Sequence, residues 1–337
     1  MGNDKSKKII GTGIVAAGIT AVGAVSHAIT KNLVNIAVDR EMPHKELAEG
    51  NSNSLPYKAA TQAVAKFKGS EDDADFREAV AEAAQNLKNR EHTLVEITAQ
   101  DGEKLVGHWF PCNNAKRIVV AMHGWRSSWC NDFGMISEFL HTNGCSVLYA
   151  EQRGQGSSGG DYMGLGVLER FDCKDWVNWV VEVQDDTLPI FLSGVSMGAT
   201  TVLMATGLPL HENVHGVIAD CGFTSPHEIS KHVVENNLHM SYGIRGEIAD
   251  ALCKKKIQLG TKAYSAIDAM KENKIPVLFI HGADDTFVPV TMTYDNYKAC
   301  IAPKELLIVP GADHAMSYYV DREKYEETVK AFWLQYE

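Results

Sequence analysis

Leu188-Pro189-Ile190-Phe191-Leu192 runs through Ser193 into Gly194-Val195-Ser196-Met197-Gly198, and Ala199-Thr200-Thr201-Val202-Leu203-Met204 follows at once. An apolar run, a turn holding two glycines and a second apolar run predict strand, sharp turn and helix in that order. That is the context of a nucleophile elbow, in which the glycines let the turn close and the serine hydroxyl is pushed clear of the backbone. A G-x-S-x-G string alone is a weak signal, because a glycine-rich chain meets it by chance. The flanking pattern and two later segments strengthen it.

Outward from the elbow, short apolar runs recur at Arg117–Met122, Ser146–Ala150, Ile190–Ser193, Val217–Ala219, Pro276–Ile280 and Glu305–Val309. Helical patterns separate them at about 131–143, 166–184, 197–206 and 321–335. Ahead of them, Thr93 to Ala99 and Leu105 to Phe110 alternate around an Asp101-Gly102 turn, which predicts a β-hairpin. Strands alternating with helices predict a doubly wound, mostly parallel sheet with helices on both faces. Between Cys221 and Lys274 the strand rhythm stops. Helical stretches at Pro226–Asn237 and Ile244–Lys256 fill the gap, predicting a helical lid over about 222–274. Phe223-Thr224-Ser225-Pro226 opens it, with Ser225 or Thr224 as helix cap and Pro226 at the first helical position.

The 337 residues accommodate one large α/β core and an appendage. Lys5, Lys7 and Lys8 precede an apolar stretch whose only ionisable residue is His27. Residues 9–30 are long enough to cross a hydrocarbon layer, and the sequence places a membrane anchor in segment 1–30, making the chain membrane-associated. A cleaved export signal and a soluble helix packed on the domain, with a cytoplasmic chain, are the alternatives. Residues 31–91 read as a helical extension and 92–337 as the main domain. The formal charge of −11, with no basic block, excludes a nucleic-acid surface. Seven cysteines scattered singly fit a reducing compartment, and no clustered Cys/His spacing predicts a metal. No cofactor is expected.

A serine hydroxyl is a poor nucleophile at neutral pH and needs a base within hydrogen-bond reach. His314, in the Gly311-Ala312-Asp313-His314 loop after Leu306-Leu307-Ile308-Val309, falls at the carboxyl edge of the sheet, where open α/β sheets bind ligands. Imidazole can both take and return the proton, so activity is expected to rise at about pH 6 to 7. Asp285, just beyond Val277-Leu278-Phe279-Ile280, can fix the imidazole tautomer; adjacent Asp284 competes for that role. Met197 N–H, beside the nucleophile at a helix start, and Trp125 N–H, after Gly124, are the candidate oxyanion donors. The Trp125 indole either walls the acyl pocket or packs in the core.

These segments resemble the α/β-hydrolase superfamily over roughly residues 92 to 336. His281-Gly282-Ala283-Asp284-Asp285-Thr286-Phe287-Val288-Pro289 is similar to the family's H-G-x-x-D-x-x-V-P stretch, whose register puts Asp285 at the acid position. Gly311-Ala312-Asp313-His314 is similar to its histidine segment, and His123-Gly124-Trp125 falls on its oxyanion loop. The order Ser, Asp, His is that of this fold. Glu151-Gln152-Arg153-Gly154-Gln155-Gly156-Ser157-Ser158 resembles a D-x-R-G-x-G-x-S turn with Glu151 in place of Asp, and Arg153 is expected to be a structural hub. The resemblance implies acyl transfer to water through an acyl-enzyme, with a small to medium ester, lipids included, as substrate. A serine peptidase or acylaminoacyl-type amide hydrolase, a lysophospholipase or monoacylglycerol lipase, and a non-catalytic binding protein on the same scaffold are the alternatives.

Overall fold

The computed structural model describes residues 26–41, 74–183 and 187–337. A helix over 26–38 (α1) stands ahead of α2 (Ala74–Asn89), and an antiparallel hairpin of β1 (Thr93–Thr98) and β2 (Lys104–Phe110) follows. Strands and helices then alternate through β3 (Arg117–Met122), α3 (Trp129–Thr142), β4 (Cys145–Glu151), α4 (Glu169–Val183), β5 (Ile190–Val195), α5 (Met197–Ala205) and β6 (Val214–Asp220). After β6 come α6 (Pro226–His232), a π-helical turn over Val233–Asn237, α7 (Gly243–Ile257) and α8 (Ala266–Met270). β7 (Val277–Gly282), α9 (Val290–Ala299), β8 (Lys304–Val309), α10 (Ser317–Val320) and α11 (Arg322–Tyr336) complete the described elements.

The eight strands form one sheet in the order β1-β2-β4-β3-β5-β6-β7-β8, parallel from β4 to β8, with β2 antiparallel to β4. β4 lies on one side of β3 and β5 on the other, so the winding reverses between β3 and β5. A crevice opens beyond the carboxyl ends of strands at such a point. Here those ends are Met122 and Val195, and the next residues are the His123-Gly124-Trp125 loop and Ser196.

β3 is buried along its whole length because both faces of the sheet are covered. Ile118, Val120 and Met122 join the core under α4 and α5, whereas Val119 and Ala121 join the opposite core with Tyr149, Phe332 and Trp333. Each fully buried large apolar side chain contributes about 1.5–3 kcal/mol, which is why these runs lack polar alternation. The strands extend past the apolar runs at their carboxyl ends, taking in Glu151, Val195, Asp220 and Gly282, where the functional loops begin. Polar residues there still pair in the ladder, so hydropathy alone stops short.

Helix starts follow local chemistry. Ser225 Oγ accepts from Glu228 N at 3.1 Å and Pro226 opens α6. α4 starts later than its apolar pattern because Leu165 and Gly166 have positive φ and buried Glu169 accepts from Gly164 N and Gly166 N. α9 carries β-branched, Asn and Asp residues of modest helix propensity and has no counterpart in the sequence reading. Tertiary contacts of buried Thr293 and Asn296 hold it: Thr293 Oγ1 lies 2.6 Å from His281 Nδ1.

The expected membrane anchor over 9–30 requires correction, and with it the membrane-associated location. Among the described residues no helix is long and apolar enough to cross a membrane. Residues 9–25 lie outside the described residues, and 26–30 begin α1. That helix packs on the domain, where Val34 and Val38 meet Ala249 and Cys253 of α7. Of the helical extension expected over 31–91, α1 and α2 are described, and 42–73 lie outside the described residues.

α2 crosses α3 where Gly134 lets the two backbones approach. A Cβ on Gly134 would stand 2.8 Å from Ala83 C and Ala84 N. Helix propensity alone makes Gly134→Ala stabilising by about 1 kcal/mol, whereas the clash destabilises by about 1–3 kcal/mol. The clash meets backbone, which cannot rotate away, so a net loss of stability is expected in chemical denaturation. An unchanged or raised midpoint would count against this close helix contact.

Candidate active site

Ser196 sits at the end of β5 with φ 55° and ψ −117°, and α5 begins at the next residue. Such backbone strain costs of order 1–3 kcal/mol and persists only where surroundings over-determine it. They do so here. A Cβ on Gly194 would lie 2.2 Å from Gly198 O, and one on Gly198 would lie 1.8 Å from Met122 O. The elbow is thus pressed against both its own helix and the end of β3. Ser196 N donates to Asp220 O at 2.8 Å, and Thr200 N donates to Ser196 O at 3.0 Å, fixing the turn from two sides.

The loops after β7 and β8 bring two partners to this serine. His314 Nε2 lies 2.9 Å from Ser196 Oγ, and His314 Nδ1 lies 2.7 Å from Asp285 Oδ2. An ionised carboxylate only accepts, so Nδ1 carries the proton and Nε2 is free to accept from the serine hydroxyl. Asp285 Oδ1 accepts from Phe287 N at 2.9 Å and Val288 N at 2.8 Å. Asp284 is exposed and makes none of these contacts. Asp313 ties the loops together, its Oδ1 accepting from Thr286 N at 2.9 Å and His314 N at 2.8 Å.

Burial would push Asp285 up, but the His314 charge and the hydrogen bonds from His281 and His314 outweigh it and hold the carboxyl well below the usual range. Burial would push His314 down; the Asp285 charge outweighs that and raises the imidazole well above its ordinary value. Each partner therefore favours the charged form of the other, as an opposite charge within about 4–6 Å does.

Trp125 and Met197 both come to the elbow. Met197 is the first residue of α5, so its N–H has no acceptor within the helix. Trp125 lines the cleft with Ser196, Gly124 and His314. Trp125 also lines an apolar pocket with Ser196 and Phe287, and its indole Nε1 donates to Ala37 O of α1 at 2.8 Å. The loop is held from below by Asp132, which accepts from Gly124 N at 2.6 Å and from Ser127 Oγ at 2.5 Å.

Sequence reasoning passed over three neighbours of the site. His281, buried, places Nε2 3.0 Å from Asp285 Oδ2 and steadies the acid; its signal was its place four residues before Asp285 in the same motif. Asp132 has no motif. Cys221, with φ 50°, lies beside His314, and burial pushes its thiol up to about 11, so it stays protonated. Among the described residues, Cys221, Asp285 and His314 form a set of three metal-capable side chains, with donor atoms within 4.8 Å. The carboxylate and imidazole of that set are already hydrogen-bonded to each other.

The glycine-rich loop after β4 serves the scaffold. Arg153 donates to buried Asp172 at 2.6 and 2.5 Å and to exposed Asp101 at 2.6 and 3.3 Å, a fork that spans three segments. Glu151 accepts from Ser157 N and meets His108 Nε2 at 2.8 Å, which accommodates the longer acid in place of Asp.

Residues 113–240 match a family model described as "Serine aminopeptidase, S33". YqkD of Bacillus subtilis is 28% identical over 258 residues, covering 74% of this chain and 81% of that protein. Protein Rv2307c of Mycobacterium tuberculosis is 26% identical over 245 residues, 71% and 78% of the two chains. Both carry the description "uncharacterized protein". The Pyrococcus furiosus esterase Pf2001 superposes with a TM-score of 0.61 at 25% identity, covering 75% of this chain and 93% of that one.

Protonated His314 cannot accept from Ser196, so nucleophilicity of Ser196 is lost as pH falls through the raised His314 value. Phosphonylation of Ser196 by a fluorophosphonate should therefore follow an acid limb centred above the ordinary value of about 6.5. A limb centred below that value would contradict the Asp285–His314 coupling.

Proposed function

We propose that this chain, a member of the α/β-hydrolase superfamily, hydrolyses carboxylic esters of small to medium acyl groups, with Ser196, His314 and Asp285 as its catalytic residues. It is a serine hydrolase, and its chemistry passes through an acyl-enzyme. The observation that carries the reading is the continuous path Ser196 Oγ–His314 Nε2–Asp285, 2.9 and 2.7 Å, mounted on a strained elbow.

Ser196 Oγ attacks the ester carbonyl as its proton passes to His314 Nε2. The imidazolium that forms faces the Asp285 carboxylate, which stabilises it and keeps the tautomer correct. Negative charge collects on the former carbonyl oxygen, where the N–H groups of Met197 and Trp125 would receive it; one such donor is worth about 10²–10³ in rate. His314 then returns the proton to the departing alcohol. Water, activated by the same imidazole, releases the acid.

Support for esters comes from the likeness to the Pyrococcus esterase at 25% identity. Support for amides comes from the aminopeptidase description of the matching family model. The esterase likeness covers 75% of this chain, whereas the aminopeptidase model matches residues 113–240 alone, and that breadth favours the ester reading.

Matched esters, amides and aminoacyl anilides should show turnover of esters well ahead of the others, abolished in Ser196→Ala. Asp285→Asn should lower kcat by about 10⁴-fold, and Asp284→Asn should leave it nearly unchanged. Faster cleavage of aminoacyl anilides than of esters would move the assignment to a peptidase. Loss of activity in Asp284→Asn with retention in Asp285→Asn would overturn the choice of acid.

A further inference from the structure

Ser196 stands between two spaces of different character. On one side is a cleft of about 660 Å³ that includes His314, Asp313 and Arg77. On the other is an apolar cavity of about 130 Å³. Trp125, Ser196 and Phe287 border both; His314 borders the cleft. Proton return decides which part of a substrate goes where. The departing alcohol takes its proton from His314, so it must leave through the cleft, and the acyl chain is left with the apolar cavity.

One wall of that cavity is α1. Thr30, Leu33, Val34 and Ala37 recur at helical spacing and line it, facing Val234 and Ala249 of the insertion after β6. α1 is fastened to the oxyanion loop itself. Arg126, next to Trp125, donates through Nε and Nη2 to Ile36 O at 3.0 and 2.7 Å and through Nη2 to Asp39 O at 2.5 Å. A guanidinium on the last carbonyls of a helix also meets the negative end of its dipole. The Trp125 indole takes Ala37 O, and Lys256 of α7 pairs with Asp39 at 2.7 Å.

From this arrangement we infer that α1 is the acyl-length ruler of the enzyme, limiting it to short acyl groups. The inference rests on the ester-hydrolase reading and adds which acyl chains are accepted and what sets the limit. An apolar cavity of about 150 Å³ takes one benzene, so a chain of about five carbons fits this one. Each further methylene kept in water forgoes about fourfold in binding, and one forced against the α1 side chains loses more.

The test is kcat/KM of the full chain on p-nitrophenyl esters from acetyl to dodecanoyl, with thermal melts as folding controls. Wild type should peak at about butanoyl to hexanoyl. Leu33→Ala should move the peak to longer chains by about two carbons, and Ala37→Leu should move it shorter. A wild-type peak at octanoyl or beyond overturns the inference. So does an unchanged profile in either folded variant. If one variant fails to fold, the other and the wild-type peak still decide. Absence of turnover on every ester by folded wild type is a separate result: it removes the ester reading itself.

Discussion

The contact on which the rest depends is the close approach of α5 to the end of β3. Hydrogen is the only side chain that fits at Gly198 beside the Met122 carbonyl, and at Gly194 beside Gly198 O. That approach forces Ser196 into a backbone conformation that non-glycine residues rarely adopt, and so presents its hydroxyl above the sheet. Met197 follows as the first residue of α5, and the loop after β3 lines the cleft beside Ser196. Because the winding reverses between β3 and β5, a crevice is available at that spot. Fold and site are therefore one packing problem.

Charge in the site is arranged with similar economy. Asp285 is buried, yet ionised, because two backbone amides and two imidazoles surround it. Its charge then lifts the pKa of His314 and leaves Nε2 facing Ser196. His281 is the quiet member: its other nitrogen is met by Thr293 of α9, so a helix with no motif of its own orients the acid. Asp132 does the equivalent for the oxyanion loop through Gly124 N.

Much of this was legible in the sequence because the relevant signals are local. β3 to β7 read as apolar runs since both faces of the sheet are covered, β8 as an apolar run at the sheet edge with Leu306 exposed, and the elbow read from five consecutive residues. Ser196, His314 and Asp285 were expected at one sheet edge, and they are found within hydrogen-bond reach of one another. What was illegible depends on distant partners. α9 is held by buried polar contacts rather than by propensity. Asp132 meets Gly124 through a turn that no spacing rule encodes. The apolar, Gly- and Ala-rich stretch before residue 31 has a hydropathy that suits lipid and a domain interior alike. Hydropathy cannot tell the two apart; among the described residues, α1 packs on the domain through Val34 and Val38 against Ala249 and Cys253. The Trp125 indole was read as pocket wall or core, but its bond to Ala37 O joins it to a helix that is 88 residues away in sequence.

The central claim is that Ser196 takes up the acyl group. Rapid acid quench of turnover with a p-nitrophenyl butanoate, followed by peptide mass analysis, tests it most directly. The account predicts a burst of p-nitrophenol equal to the enzyme present and a butanoyl mass increment on the peptide holding Ser196. Turnover with neither burst nor increment, persisting in Ser196→Ala, would contradict it.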